Sequence, residues 1–232
     1  MPDDLPRQSP PLLRALLPSS VATVEAYGPP APAALFPQEA VWVAKAVPKR
    51  VDEFAAARAC ARAALRQFGV EPGPIPRGER GEPCWPDEFV GAITHCDGYR
   101  AAAVARRSEV VSVGIDAEPH GPLPDGVLGL VSSAGERDHL SAMAAAQPAP
   151  AWDRLLFSAK ESVYKAWFPV ARRWLGFEEA EVVFTPSADP LAGAFTARLS
   201  PPARFEGVDL GRLSGRYAVG SGLVVTAIVV IC

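Results

Sequence analysis

Apolar residues recur at helical spacing in two long stretches and alternate with polar ones in several short ones. Over residues 49–68, Val51, Phe54, Ala55, Ala61, Leu65 and Phe68 fall on one side of a helix, and Gly69 supplies its stop. The other side carries Arg58, Arg62 and Arg66 in steps of four, with Arg50 in the first turn, a pattern that also suits a solvated face. Over residues 151–168, Trp152, Leu155, Leu156, Ala159, Val163 and Ala166 make a second stripe, and Pro169 is expected to end the helix. Ser158, Glu161 and Lys165 lie on a different stripe of that helix. The run Ser-Ala-Gly-Glu at 133–136 has the form of a capping box opening a third helix to about residue 146.

Strand-like segments are expected at 21–27, 40–44, 89–94, 99–105, 110–118, 180–184, 192–199, 216–219 and 223–231. Over 110–118 the two-residue period sends Val111, Val113 and Ile115 one way and Ser112, Gly114, Asp116 and Glu118 the other. Both carboxylates therefore share one face at the strand's end. A linker is expected at 119–124, dividing the chain into halves of residues 1–118 and 119–232. Each half reads as helix plus meandering strands, an α+β class without parallel βαβ alternation.

Composition narrows the function. The 232 residues are 49% hydrophobic and 21% charged, with a net charge of −3, which disfavours a disordered polyelectrolyte, a membrane protein or a strongly basic nucleic-acid binder. The longest apolar run, 223–232, is half a membrane span and reads as a buried strand. The N-terminal Met-Pro-Asp-Asp is not followed by a signal-peptide pattern, and Cys60, Cys84, Cys96 and Cys232 lack metal-site spacing, so a cytoplasmic chain with reduced thiols is expected. Only four of 23 basic residues are lysines, and Lys160 and Lys165 stand close together on the second long helix. No P-loop, Gly-x-Ser-x-Gly elbow or His-Glu-x-x-His is present.

Asp116, Glu118 and Glu161 can together make an oxygen-rich Mg²⁺ site. The Glu161/Lys165 spacing also suits a plain helix ion pair worth ~0.2–0.5 kcal/mol. Arg50, Arg58, Arg77, Arg80, His95, Lys160 and Lys165 supply cations suited to a polyphosphate.

Four segments in order carry a resemblance: Glu-Pro-Cys-Trp-Pro at 82–86, Gly-Ala-Ile-Thr-His-Cys-Asp-Gly-Tyr at 91–99, Val-Gly-Ile-Asp-Ala-Glu at 113–118, and Phe-Ser-Ala-Lys-Glu-Ser-Val-Tyr-Lys at 157–165. Together they resemble the 4′-phosphopantetheinyl transferases, in the enterobactin-type and actinobacterial branch serving siderophore, polyketide and non-ribosomal peptide synthesis. The resemblance implies a pseudo-dimer of two similar α+β halves with the active site in the cleft between them. It implies Mg²⁺-dependent transfer of the 4′-phosphopantetheine arm of coenzyme A to a serine of an apo acyl or peptidyl carrier, releasing 3′,5′-ADP. By position, Asp116, Glu118 and Glu161 resemble the metal ligands, Glu161 the general base and Lys165 the group that stabilises the departing diphosphate. Thr94, His95, Arg50, Arg58, Arg77, Arg80 and Lys160 match positions that hold the phosphates of coenzyme A. Ala92 stands where the family commonly has serine, and Phe157 where it often has tryptophan. A monomer is expected, with no nucleic-acid or membrane partner. A non-catalytic coenzyme A or carrier-binding module of the same fold is the alternative.

Overall fold

The structure, a computed structural model, describes residues 11–185, 187–202, 204–205 and 207–231. The expectations for residues 1–10 and Cys232 lie outside it. After a short 3-10 turn (Arg14–Leu16), the first half runs β1 (Ala22–Tyr27), α1 (Pro37–Ala40), α2 (Pro48–Arg66), β2 (Phe89–Cys96) and β3 (Tyr99–Arg106). The second half contains β4 (Val110–Pro119), α3 (Val127–Val131), α4 (Ala134–Ala146), α5 (Trp152–Ala171), β5 (Ala180–Thr185) and β6 (Ala192–Leu199). It ends with the small pair β7 (Arg204–Phe205) and β8 (Val208–Asp209), then β9 (Arg212–Gly220) and β10 (Leu223–Ile231). Each half is a long helix lying on an antiparallel sheet. The sheet orders are β1-β3-β2 in the first and β4-β10-β9-β6-β5 in the second.

Small side chains let the first helix sit close. Ala61, Ala64 and Leu65 of α2 pack on Ala102 and Val104 of β3, with Ile75 and Phe89 closing the layer. In the second half, β4 must pass directly under α5. A Cβ at Gly114 would stand 1.9 Å from the Ser162 carbonyl oxygen, so only glycine permits the approach. Ser112 Oγ fixes the same contact by donating to the Ala166 carbonyl at 2.7 Å.

The opposite face of β4 joins the halves. Val113, Ile115 and Ala117 enter one core with Val90, Ala101, Ala103, Val225 and Ala227. β4 and β2 are edge strands of their sheets, and at their meeting point Ala117 N–H donates to Thr94 Oγ1 at 3.1 Å. The two halves thus share buried surface and are pinned where the expected acids lie.

The expected boundary after Glu118 lies within β4, which pairs along its length with β10. Three expectations are corrected. Residues 40–44 form no strand. Glu39 instead accepts from the Phe36 N–H at 2.9 Å and caps α1 before a run of turns. α5 continues through Pro169 to Ala171 and stops at Arg172 in the left-handed region (φ 50°). Val111 does not share the side of Val113, because Ile231 pairs with Val110 and Val230 with Ser112. That bulge turns Val111 towards the α5 core. The capping box at Ser133 and Glu136 is present as expected. Cys60, Cys84 and Cys96 are unpaired thiols. No helix among the described residues is long and apolar enough to cross a membrane.

Candidate active site

The strand period delivers Asp116 to the junction of the halves, facing α5. Its Oδ1 accepts from Lys165 Nζ at 2.7 Å and from Thr94 Oγ1 at 3.3 Å. Its Oδ2 is buried and has no hydrogen-bond partner among the described residues. Asp116 is 4% exposed, so that oxygen has no ready access to bulk water. An ionised carboxylate half-satisfied in an interior is costly, which marks the oxygen as one awaiting a ligand.

Glu118, two residues on, is paired through Oε2 with Arg154 at 3.2 Å. Glu161 lies one turn before Lys165 on α5. Burial first, then the charge of Asp116, pushes the Glu161 carboxyl above the ordinary range; Lys165 offsets part of this, and Glu118 adds to the rise. Glu118 is raised by burial and Asp116, with Arg154 opposing. The three acids therefore feel one another's charge. Even so, no three His, Cys, Asp or Glu side chains among the described residues stand ready as a metal cage. Lys165 and Arg154 instead hold one oxygen each of Asp116 and Glu118. The donor set is still that of a hard cation. It is all oxygen, crowded with negative charge and has one orphan buried atom, and Mg²⁺ keeps several waters and asks for few protein ligands.

This crowding has a measurable consequence. A carboxyl raised in the fold binds its proton more readily than in the unfolded chain. Metal-free protein therefore gains stability as pH falls through the raised values of Glu118 and Glu161, and the gain ends in the ordinary glutamate range. In EDTA, Glu161→Gln should melt above the wild type at about pH 7.5, and the gap should close towards about pH 5. His95, lowered by burial and then by Arg50, acts in the opposite direction below its ordinary 6.5, but equally in both proteins. A gap independent of pH would remove Glu161 from the charged cluster.

The expected cations divide into groups. The Arg50 guanidinium lies against Nε2 of His95. Arg50 also faces Glu53 at 3.7 Å, and Lys49 reaches Asp97 at 3.3 Å. Arg58 is turned inward: its Nε donates to the Ile75 carbonyl at 2.8 Å and its guanidinium covers the Phe54 ring at 4.3 Å. Burial lowers it to about 10, with Arg77 close enough to contribute. Arg77 lies over the Trp42 ring at 5.6 Å. Arg80 borders a cleft between the halves whose far wall is Glu161, Tyr164, Lys165 and Phe168.

Lys160 parts company with Lys165. The expectation that it contacts phosphate meets a side chain only 2% exposed, whose Nζ donates to Glu136 Oε2 and to the Phe177 carbonyl, both at 2.8 Å. Lys160 and Glu161 both border a small cavity against Phe177 and Leu175, but Lys160 does not line the cleft that Arg80, Glu161 and Lys165 enclose. Two further charged residues bear on the site without any motif to announce them: Arg154, a cation at a helix start that pairs with Glu118, and Glu136, a cap residue that also pairs with Lys160.

Two α+β halves thus meet at a buried acid cluster with a lysine across it. Residues 37–105 match the description "4′-phosphopantetheinyl transferase N-terminal domain", and residues 112–220 match "4′-phosphopantetheinyl transferase superfamily". The chain is 55% identical over 223 residues to 4′-phosphopantetheinyl transferase Svp of Streptomyces mobaraensis, covering 94% of this chain and 89% of that one. It is 49% identical over 224 residues to 4′-phosphopantetheinyl transferase PptT of Mycobacterium tuberculosis, covering 94% and 97%. A shorter match, 35% over 136 residues, covers 58% of this chain and 55% of enterobactin synthase component D of Salmonella typhi. The chain belongs to the 4′-phosphopantetheinyl transferase family. The family's activity is transfer of the phosphopantetheine arm of coenzyme A to carrier proteins.

Proposed function

We propose that this chain moves the arm onto the serine of an apo acyl or peptidyl carrier by a single in-line displacement at the junction of its halves. The carrier serine oxygen forms a bond to the phosphorus bearing the pantetheine. The bond from that phosphorus to the bridging oxygen breaks, and 3′,5′-ADP leaves. The serine proton passes to Glu161, which lines the cleft beside Lys165 and, next to a divalent ion, stays charged and so able to accept it. Lys165 faces the negative charge that builds on the leaving diphosphate. Asp116, Glu118 and Glu161 would hold Mg²⁺, which supplies neutralisation of the diphosphate charge.

Arg50, His95, Arg77 and Arg80 are proposed to receive the phosphates of coenzyme A. Thr94 acts beside them by fixing Asp116. Arg58 belongs to this set through its charge and its hold on the loop leading to Arg77. One chain supplies both walls of the cleft, so a monomer suffices. The observation that carries this reading is the unpartnered, buried Oδ2 of Asp116 opposite Lys165.

The test is a panel of apo carriers from fatty-acid, polyketide and peptide synthesis, incubated with coenzyme A and read by intact-protein mass spectrometry. A gain of one phosphopantetheine on a carrier serine, lost in EDTA and restored by Mg²⁺, is expected. Transfer that persists unchanged in EDTA would remove the metal assignment. Coenzyme A binding without transfer to any carrier would leave a binding module.

A further inference from the structure

Arg154 is out of place by the ordinary rules of a helix. It lies in the first turn of α5, where the helix dipole disfavours a cation, yet its side chain is only 17% exposed. All three guanidinium nitrogens are engaged: Nε donates to the Gly121 carbonyl at 3.2 Å, Nη2 to the Pro122 carbonyl at 2.7 Å and Nη1 to Glu118 Oε2 at 3.2 Å. The neighbouring Asp153 accepts from the Leu123 N–H at 2.8 Å, so the chain leaving β4 is wrapped around the start of α5. Glu118 is the last acidic residue before that wrap. Its backbone is paired with Val224, but its half-buried side chain has three rotatable bonds, so nothing in the strand alone fixes its carboxylate.

We propose that Arg154 is a positioning residue that presents Glu118 to the divalent ion and raises the affinity of the site for it. The proposal rests on the metal reading given above. The second observation beside the acid cluster is Asp116, 4% exposed, with an orphan oxygen on the same face. Two opposing effects compete. A cation beside a ligand repels an incoming ion, but this one is spread over a guanidinium that already serves two carbonyls. Fixing a carboxylate through an outer hydrogen bond is worth about 10–100-fold in metal affinity. The fork geometry, three acceptors held at once, favours the positioning effect, and lysine cannot reproduce it.

The experiment is Mn²⁺ binding by electron paramagnetic resonance on the full chain, for wild type, Arg154→Met, Arg154→Lys, Glu118→Gln and the double variant Glu118→Gln/Arg154→Met. Arg154→Met is expected to weaken Mn²⁺ binding at least tenfold, with Arg154→Lys recovering little. In the Glu118→Gln background, removing Arg154 should cost no further affinity. Circular dichroism at the binding temperature establishes that each variant is folded. A variant that fails that check is replaced by Arg154→Gln, which keeps donors for the loop carbonyls but not the fork. Unchanged or tighter Mn²⁺ binding in Arg154→Met, or an equal loss in both backgrounds, overturns the positioning role alone. Wild-type protein that binds no Mn²⁺ overturns the metal reading and this proposal with it.

Discussion

Asp116→Asn is expected to lower the rate of carrier loading by about 10²–10³-fold while leaving the metal-free protein at least as stable as the wild type. Asparagine keeps an oxygen where Oδ1 accepts from Lys165 and Thr94, so the junction retains its shape. What it removes is charge. Asp116 is the largest charged contribution to the raised state of both Glu118 and Glu161, so neutralising it relieves repulsion that the empty site carries. Lys165, with a side chain 27% exposed, can turn to water when its partner weakens. Residues kept against stability in this way belong to function. Single-turnover loading followed by mass spectrometry, and thermal melts in EDTA, separate the two effects. If the melting temperature falls by many degrees while loading is preserved, Asp116 is a structural anchor for Lys165 and the site lies elsewhere.

Much of this site was legible in the chain because its signals are local. The alternation at 113–118 places Asp116 on the face towards α5, and the spacing of Glu161 and Lys165 puts them one above the other. The cap at Ser133 and Glu136 is equally local, since both partners sit within four residues. Non-local pairing was not legible. Nothing within 110–118 says that its ladder partner is a strand over a hundred residues later. The apolar run at 41–43 has strand composition, but the deciding partner of Glu39 is Arg62 on α2, at 2.8 Å. The direction of Lys160 on α5 has the same kind of cause: it pairs with Glu136, two dozen residues earlier, which its place beside Glu161 does not reveal.

Lys160→Met is therefore expected to act on stability first, by about 3–5 kcal/mol, because it strands a buried carboxylate. Glu136 is 2% exposed; its Oε1 accepts from the Val182 N–H and its Oε2 from the Ser133 N–H, each at 2.8 Å. Those donors soften the loss but carry no full positive charge. For a chain of this length each kcal/mol moves the melting temperature by about 2–4 °C, giving a fall of roughly 6–20 °C. The double variant Lys160→Met/Glu136→Gln should recover at least half of it, because no uncompensated charge remains. Below its melting temperature the single variant should load carrier within about tenfold of wild type, with KM for coenzyme A little changed. A phosphate ligand behaves in the reverse way, with KM for coenzyme A rising strongly at an unchanged melting temperature. That pattern would return Lys160 to the cleft beside Lys165, and the inward pair with Glu136 would then describe only the enzyme before substrate arrives.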